Sequence, residues 1–168
     1  MYFKHILGIQ DIADRKLTLR NTVRAVILIE GKLLMIQTKR GDYKFPGGGM
    51  KPEETYYQAI LREVKEETGY RVTKVIEKIG EIIENYDDSY EEGAVFSMTS
   101  VFYRCEASLD NFQQELDEYE KDLEFQPVFI KAEEAILCNE ELLSKDLEHK
   151  ISFLPREISA LKEIIKYI

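Results

Sequence analysis

The chain has 168 residues, 44% of them hydrophobic and 33% charged, with 32 acidic side chains against 23 basic ones and a formal net charge of −9. That length and balance suit one domain, residues 1–168, with enough apolar side chains to bury a core. The acidic excess argues against a general nucleic-acid binder or a protein held on an anionic membrane, but not against a small phosphorylated substrate, because a bound cation inverts the local field.

The N-terminal segment holds a short apolar patch, Ile6-Leu7-Gly8-Ile9, between Lys4-His5 and Asp11. It is too short for the apolar centre of a secretion signal. No run approaches the roughly 18 apolar residues of a membrane span, so no membrane partner and a cytoplasmic location are expected. Thr22 to Glu30 is β-branched and apolar, Gly31-Lys32 turns the chain, and Leu33 to Thr38 runs back, which predicts a hairpin. The unbroken run Ala25–Ile29 predicts burial on both faces of its strand. Lys39 to Tyr43 reads as a charged loop. Phe45-Pro46-Gly47-Gly48-Gly49 reads as an irregular one whose glycines let backbone approach a ligand closely.

Pro52 suits the first turn of a helix, and Gly69 suits its C-terminal cap. Between them Tyr57, Ile60, Leu61 and Val64 form a stripe toward the core, which predicts a helix to about Thr68 with its polar face turned away. Val72–Ile83 and Ala94–Cys105 read as strands around a polar loop, Asn85–Glu92. Asp110–Glu124 is a solvated acidic loop or a ragged helix. Phe125–Ile130 reads as a short strand and Glu133–Leu137 as the start of a helix. Pro155–Tyr167 reads as an amphipathic helix with Ile158, Leu161, Ile164 and Ile165 inward. This order of strands and helices predicts a mixed α/β sandwich. Cys105 and Cys138 are expected as small buried hydrophobes. His5 and His149 are expected at the surface, and Tyr86 and Tyr90 half-buried.

The central helix carries Glu63, Glu66 and Glu67. At about 100° per residue, Glu66 lies roughly 60° to one side of Glu63 and Glu67 roughly 40° to the other. Like charges on one face repel unless a cation sits among them. Mg²⁺ takes carboxylate oxygens while keeping waters and phosphate oxygens. The pattern therefore points to a site for Mg²⁺ or Mn²⁺ and to phosphate chemistry. Read with the preceding loop, the segment fixes Gly48, Glu54, Arg62, Glu63, Val64, Glu66, Glu67, Gly69 and Tyr70. In that spacing it resembles the signature of the Nudix hydrolases (MutT-like), G-x5-E-x7-R-E-U-x-E-E-x-G-U with U bulky and apolar. It departs only at Tyr70, aromatic where the family is usually aliphatic.

The resemblance implies an α/β/α sandwich with a mixed β-sheet and a catalytic loop–helix–loop. It implies metal-dependent hydrolysis of the pyrophosphate linkage in a nucleoside diphosphate joined to another moiety. Nucleoside triphosphates, ADP-ribose, nucleotide sugars and dinucleoside polyphosphates all fall in that range, and the signature does not separate them. Glu63, Glu66 and Glu67 are implied as metal ligands, with the backbone carbonyl of Gly48 or Gly49 completing the shell. A further carboxylate from a distant loop is expected from Glu120, or from Glu118. Glu63 is also a candidate general base, and Arg62 with Glu54 a supporting ion pair. Lys39 and Arg40 are candidates to meet substrate phosphates, with Arg20 and Arg24 as further cations. A homodimer fits the family. The alternative is a sensor on the same fold that binds a nucleotide without cleaving it.

Overall fold

The computed structural model describes residues 2–145 and 151–168, apart from the side chains of Leu109 and Asn111; His149 lies outside the described residues. The apolar N-terminal patch is a strand, β1 (Phe3–Gly8), although its sequence alone is too short to declare one. It pairs in parallel with β5, introduced below, at Phe3↔Gly80. Gly80 makes room for it, since a Cβ there would lie 2.5 Å from the Phe3 ring.

Strand β2 (Leu17–Ile29) starts earlier than Thr22, and β3 (Lys32–Gln37) follows it. The turn is Glu30-Gly31, both at positive φ, which matches the twist of a tight hairpin; Lys32 already belongs to β3. Ala25, Val26 and Ile27 are buried, so the strand is covered on both faces, but Leu28 is 43% exposed where it nears the turn. A two-residue strand, β4 (Tyr43–Lys44), pairs with Ile36 and Gln37 of β3.

Helix α1 (Tyr56–Thr68) begins after Pro52, not at it. Thr55 caps it through a reciprocal pair with Gln58, and Gly69 closes it in the left-handed conformation. The buried stripe runs along Ala59, Ile60, Val64 and Thr68, and Tyr57 is 52% exposed instead of facing the core. Two long antiparallel strands follow, β5 (Tyr70–Asp87) and β6 (Val95–Asn111), which absorb part of the expected polar loop. The acidic stretch resolves into the end of β6, a loop and a single-turn helix, α2 (Glu118–Asp122). Then come β7 (Gln126–Ile130), α3 (Ala132–Lys145) and α4 (Leu154–Ile164), with Ile165–Tyr167 as a closing 3₁₀ turn.

The mixed sheet runs β1-β5-β6-β2-β3-β4, with β7 on the other edge of β3. Alternation along β2 sends Val23, Ala25 and Ile27 to a core under α1, with Leu34, Ile60 and Val64. Val26 points to the opposite core, where Phe45, Ile82 and Phe102 meet Ala135, Leu161 and Ile164 of α3 and α4. The result is helix, sheet, helix, as expected. Cys105 is buried as expected, whereas Cys138 is only half-buried. Tyr86 is partly exposed and Tyr90 almost fully so. No helix among the described residues is long and apolar enough to cross a membrane.

Because β2 and β3 pair only at Leu28↔Leu33 and Ile29↔Lys32, the rest of that β2 edge is left to another partner. The glycine loop takes it. Ala25 N–H donates to the Pro46 carbonyl at 2.8 Å, Val23 N–H to Gly48 at 3.0 Å, and Met50 N–H to Asn21 at 3.1 Å. Gly47 has φ 137°, and a Cβ there would fall 2.1 Å from the Val23 carbonyl oxygen, so only glycine fits. The loop that faces α1 is thus an irregular edge of the sheet.

Phe102 anchors the core behind that loop: it is fully buried, with its ring centroid 5.5 Å from Phe3 and 5.6 Å from Phe45. Phe102→Ala is expected to lower unfolding free energy by about 3–5 kcal/mol at unchanged m-value in urea titrations.

Candidate active site

Arg62 organises the loop and the helix together. Its Nε donates to Glu54 Oε1 at 2.8 Å and its Nη2 to Glu54 Oε2 at 2.7 Å, a two-pronged pair across the start of α1. Nη2 also donates to the Gly49 carbonyl at 3.0 Å, and Nη1 reaches Glu63 at 2.6 Å and Glu66 at 3.1 Å. Glu54 precedes the helix, so it reaches Arg62 from the loop, as the support role requires. The Arg62 hydrogen bond holds the Glu54 carboxyl down at about 2.

Glu63 and Glu67 lie on the buried side of α1 at 7% and 2% exposure, so the acidic face and the core face are not separated as the sequence suggested. The glycine loop covers them. A Cβ on Gly48 would lie 2.5 Å from Glu63 Oε2, and Gly47 N–H donates to Glu67 Oε2 at 2.7 Å. Glu120, on α2, completes the group: Glu63, Glu67 and Glu120 each offer an oxygen within 4.8 Å of the others. Burial, with the charges of Glu67 and Glu66 adding to it, raises the Glu63 carboxyl against the pull of Arg62. Burial and the Glu67 charge push Glu120 up to about 6. Crowded carboxylate oxygens with neither thiolate nor imidazole among them suit a hard divalent ion such as Mg²⁺ or Mn²⁺.

The cluster opens into a cleft of about 640 Å³. Its wall carries Arg20, Arg24, Lys44, Lys51 and Arg156, a basic lining inside an acidic protein. Arg24 is buried with its Nη1 on the Gly47 carbonyl and its Nε without a partner. Burial, then the neighbouring Arg156 charge, lowers its pKa to about 10. Arg156 lies between Glu84 at 2.9 Å and Glu157 at 2.7 Å, and Glu157 Oε2 accepts Phe45 N–H at 2.9 Å. Helix α4 therefore pins the loop from behind.

Of the residues singled out from sequence, Glu54, Arg62, Glu63, Glu66, Glu67 and Glu120 converge here. Glu66 lines the cleft but stands outside the tight trio, engaged by Arg62. The Gly48 carbonyl already accepts from Val23 N–H, leaving it one lone pair. Glu118 lies on α2 but outside the trio. Lys39 and Arg40 do not line the cleft: they stand exposed on the turn between β3 and β4, and Arg20 and Arg24 line it in their place. Lys44, Arg156 and Glu157 went unnoticed. Lys44 adjoins Phe45-Pro46 in sequence, which is the one signal available for it, whereas Arg156 and Glu157 sit in an ordinary amphipathic helix.

The NUDIX domain profile matches residues 18–153, and the chain belongs to that family. It is 36% identical over 74 residues to an ADP-ribose pyrophosphatase of Methanocaldococcus jannaschii, covering 40% of this chain and 44% of that one. It is 38% identical over 56 residues to the CTP pyrophosphohydrolase of Escherichia coli, covering 30% and 42%. A Bacillus subtilis protein assigned provisionally as an 8-oxo-dGTP diphosphatase is 52% identical over 42 residues, 25% of this chain and 27% of its own. The chain thus matches less than half the length of each of these relatives. Among solved structures, a NUDIX hydrolase from Nitrosomonas europaea aligns with TM-score 0.55 at 22% identity, over 73% of this chain and 79% of that one, which establishes the fold.

The depressed Glu54 carboxyl has a sign. Its ion pair contributes fully above the ordinary glutamate range and is lost as pH falls toward 2. Glu54→Gln is expected to lower Tm at neutral pH and to narrow the gap to wild type as pH drops from about 5 to about 2. Parallel Tm curves would remove the Arg62–Glu54 pair from the stability account.

Proposed function

We propose that this chain is a divalent-metal-dependent hydrolase of the pyrophosphate linkage in a nucleoside diphosphate joined to another group. One observation carries the reading: the Glu63, Glu67 and Glu120 oxygens converge in a cleft that basic side chains also line. Anionic oxygens to hold a cation and cations to hold an anion are what phosphoryl transfer requires within one space. The named activities of the relatives, on ADP-ribose and CTP, favour a nucleotide substrate of that class.

In this reading Glu63, Glu67 and Glu120 hold Mg²⁺ or Mn²⁺, with Glu66 and the Gly48 carbonyl at its margin. A bound ion of this kind draws charge from phosphate oxygens and makes a water more acidic. Glu63, held in place by Arg62 at 2.6 Å, would accept a proton from the attacking water. The water oxygen bonds to one phosphorus as the bridging P–O bond breaks, and the departing phosphate takes the electron pair. Arg62 fixes the carboxylate of Glu63, and Gly47 to Gly49 keep the loop slim enough for a phosphate to approach. Arg24, Arg20 and Lys51 line the same cleft and offer positive charge to the anion.

The test is release of nucleotide or phosphate from ADP-ribose, nucleoside triphosphates and nucleotide sugars, with Mg²⁺, with Mn²⁺ and with chelator. Glu63→Gln and Glu67→Gln are expected to lower kcat at least about 100-fold in folded protein, since even the outer partners of metal ligands cost 10–100-fold. Glu67→Gln at near wild-type turnover, or release that persists in chelator, would overturn the assignment.

A further inference from the structure

Lys44 is the cleft residue that neither the family signature nor the proposed chemistry explains. It ends β4 beside the glycine loop, and its ammonium points into the carboxylate cluster. Nζ lies 2.9 Å from Glu67 Oε1 and 4.2 Å from the centroid of the Phe125 ring. The side chain is 11% exposed and that of Glu67 2%. The ammonium itself is therefore held between a carboxylate and an aromatic face, and is largely stripped of water.

Charge decides what such a group does. While the cluster holds no metal, Lys44 and Arg62 are the cations bonded to it, Lys44 at Glu67 and Arg62 at Glu63. A divalent ion that takes Glu67 competes with the ammonium for the same carboxylate and repels it. A diphosphate in the same cleft attracts it. An ammonium is a compact charge on a flexible stem, so rotation of its last bonds carries Nζ off Glu67 and the Phe125 ring toward a phosphate oxygen in the same cleft.

We propose that Lys44 is a phosphate-binding residue of this cleft: Glu67 holds it in place while the cluster is free of metal, and it turns to a diphosphate oxygen when a divalent ion takes Glu67. The inference rests on the proposed function, because it needs a diphosphate in the cleft.

The test uses Lys44→Met, similar in length without charge, and Lys44→Arg, which keeps the charge. Circular dichroism in chelator checks that both are folded. Calorimetry then measures Mn²⁺ binding to the nucleotide-free protein, and binding of α,β-methylene-ADP, which cannot be hydrolysed at its bridge, at saturating Mn²⁺. Lys44→Met is expected to bind Mn²⁺ several-fold more tightly and the analogue about tenfold more weakly, while Lys44→Arg keeps both near wild type. Unchanged or weaker Mn²⁺ binding by Lys44→Met, or analogue binding equal to wild type, would overturn the proposal and leave Lys44 a fixed partner of Glu67. A wild type that binds no analogue would count against the proposed function itself and would overturn phosphate binding by Lys44 with it, leaving the Mn²⁺ titration to test the competition at Glu67.

Discussion

One guanidinium sets the geometry on which the site depends. Arg62 bonds Glu54, Glu63, Glu66 and the Gly49 carbonyl, so a single planar group ties the glycine loop, the approach to α1 and the acidic face of α1 into one unit. Without it, Glu63 would be a buried carboxylate beside two others, and burial of an uncompensated charge costs several kcal/mol. Such an arrangement is a poor way to gain stability. In the proposed function it holds like charges close together where a cation and a phosphate would meet.

The loop needs a second anchor, and the opposite layer of the fold supplies it. Three backbone hydrogen bonds lay the loop along β2. Glu157 on α4 then accepts Phe45 N–H, Arg24 on β2 donates to the Gly47 carbonyl, and Glu67 on α1 accepts Gly47 N–H. Arg156 ties Glu157 to Glu84 on β5, so the chain's last helix and one of its longest strands steady a loop that precedes both. The site is rigid because every layer of the sandwich holds one of its edges.

The parts of the site that were legible in the sequence are those fixed by local geometry. The α1 glutamates share a face because a helix has a fixed period, and the Arg62–Glu54 pairing follows from the signature's spacing. Glu120 could be suggested because a distant acidic loop is a natural source of another ligand. What could not be read depends on the tertiary arrangement. Lys39 and Arg40 looked well placed because they precede the glycine loop, yet the tight turn closed by Gly41 N–H and the Thr38 carbonyl carries them to the surface. Tyr57 fits an i, i+3, i+4, i+7 stripe with Ile60, Leu61 and Val64, but the face that packs on the sheet runs along Ala59, Ile60, Val64 and Thr68, and Tyr57 lies outside it in the first turn. β1 is a strand only because β5 lies beside it. Arg156 and Glu157 meet Glu84 and Phe45 across long stretches of chain, and no local pattern marks them.

The proposed function stands on Glu63, Glu67 and Glu120 forming one metal site. A crystal soaked in Mn²⁺, with diffraction collected above the manganese absorption edge, tests it directly. The expected result is an anomalous peak within direct coordination distance of oxygens of all three carboxylates. A crystal whose cluster shows no peak at saturating Mn²⁺, or a peak bound elsewhere in the cleft without these residues, would contradict it.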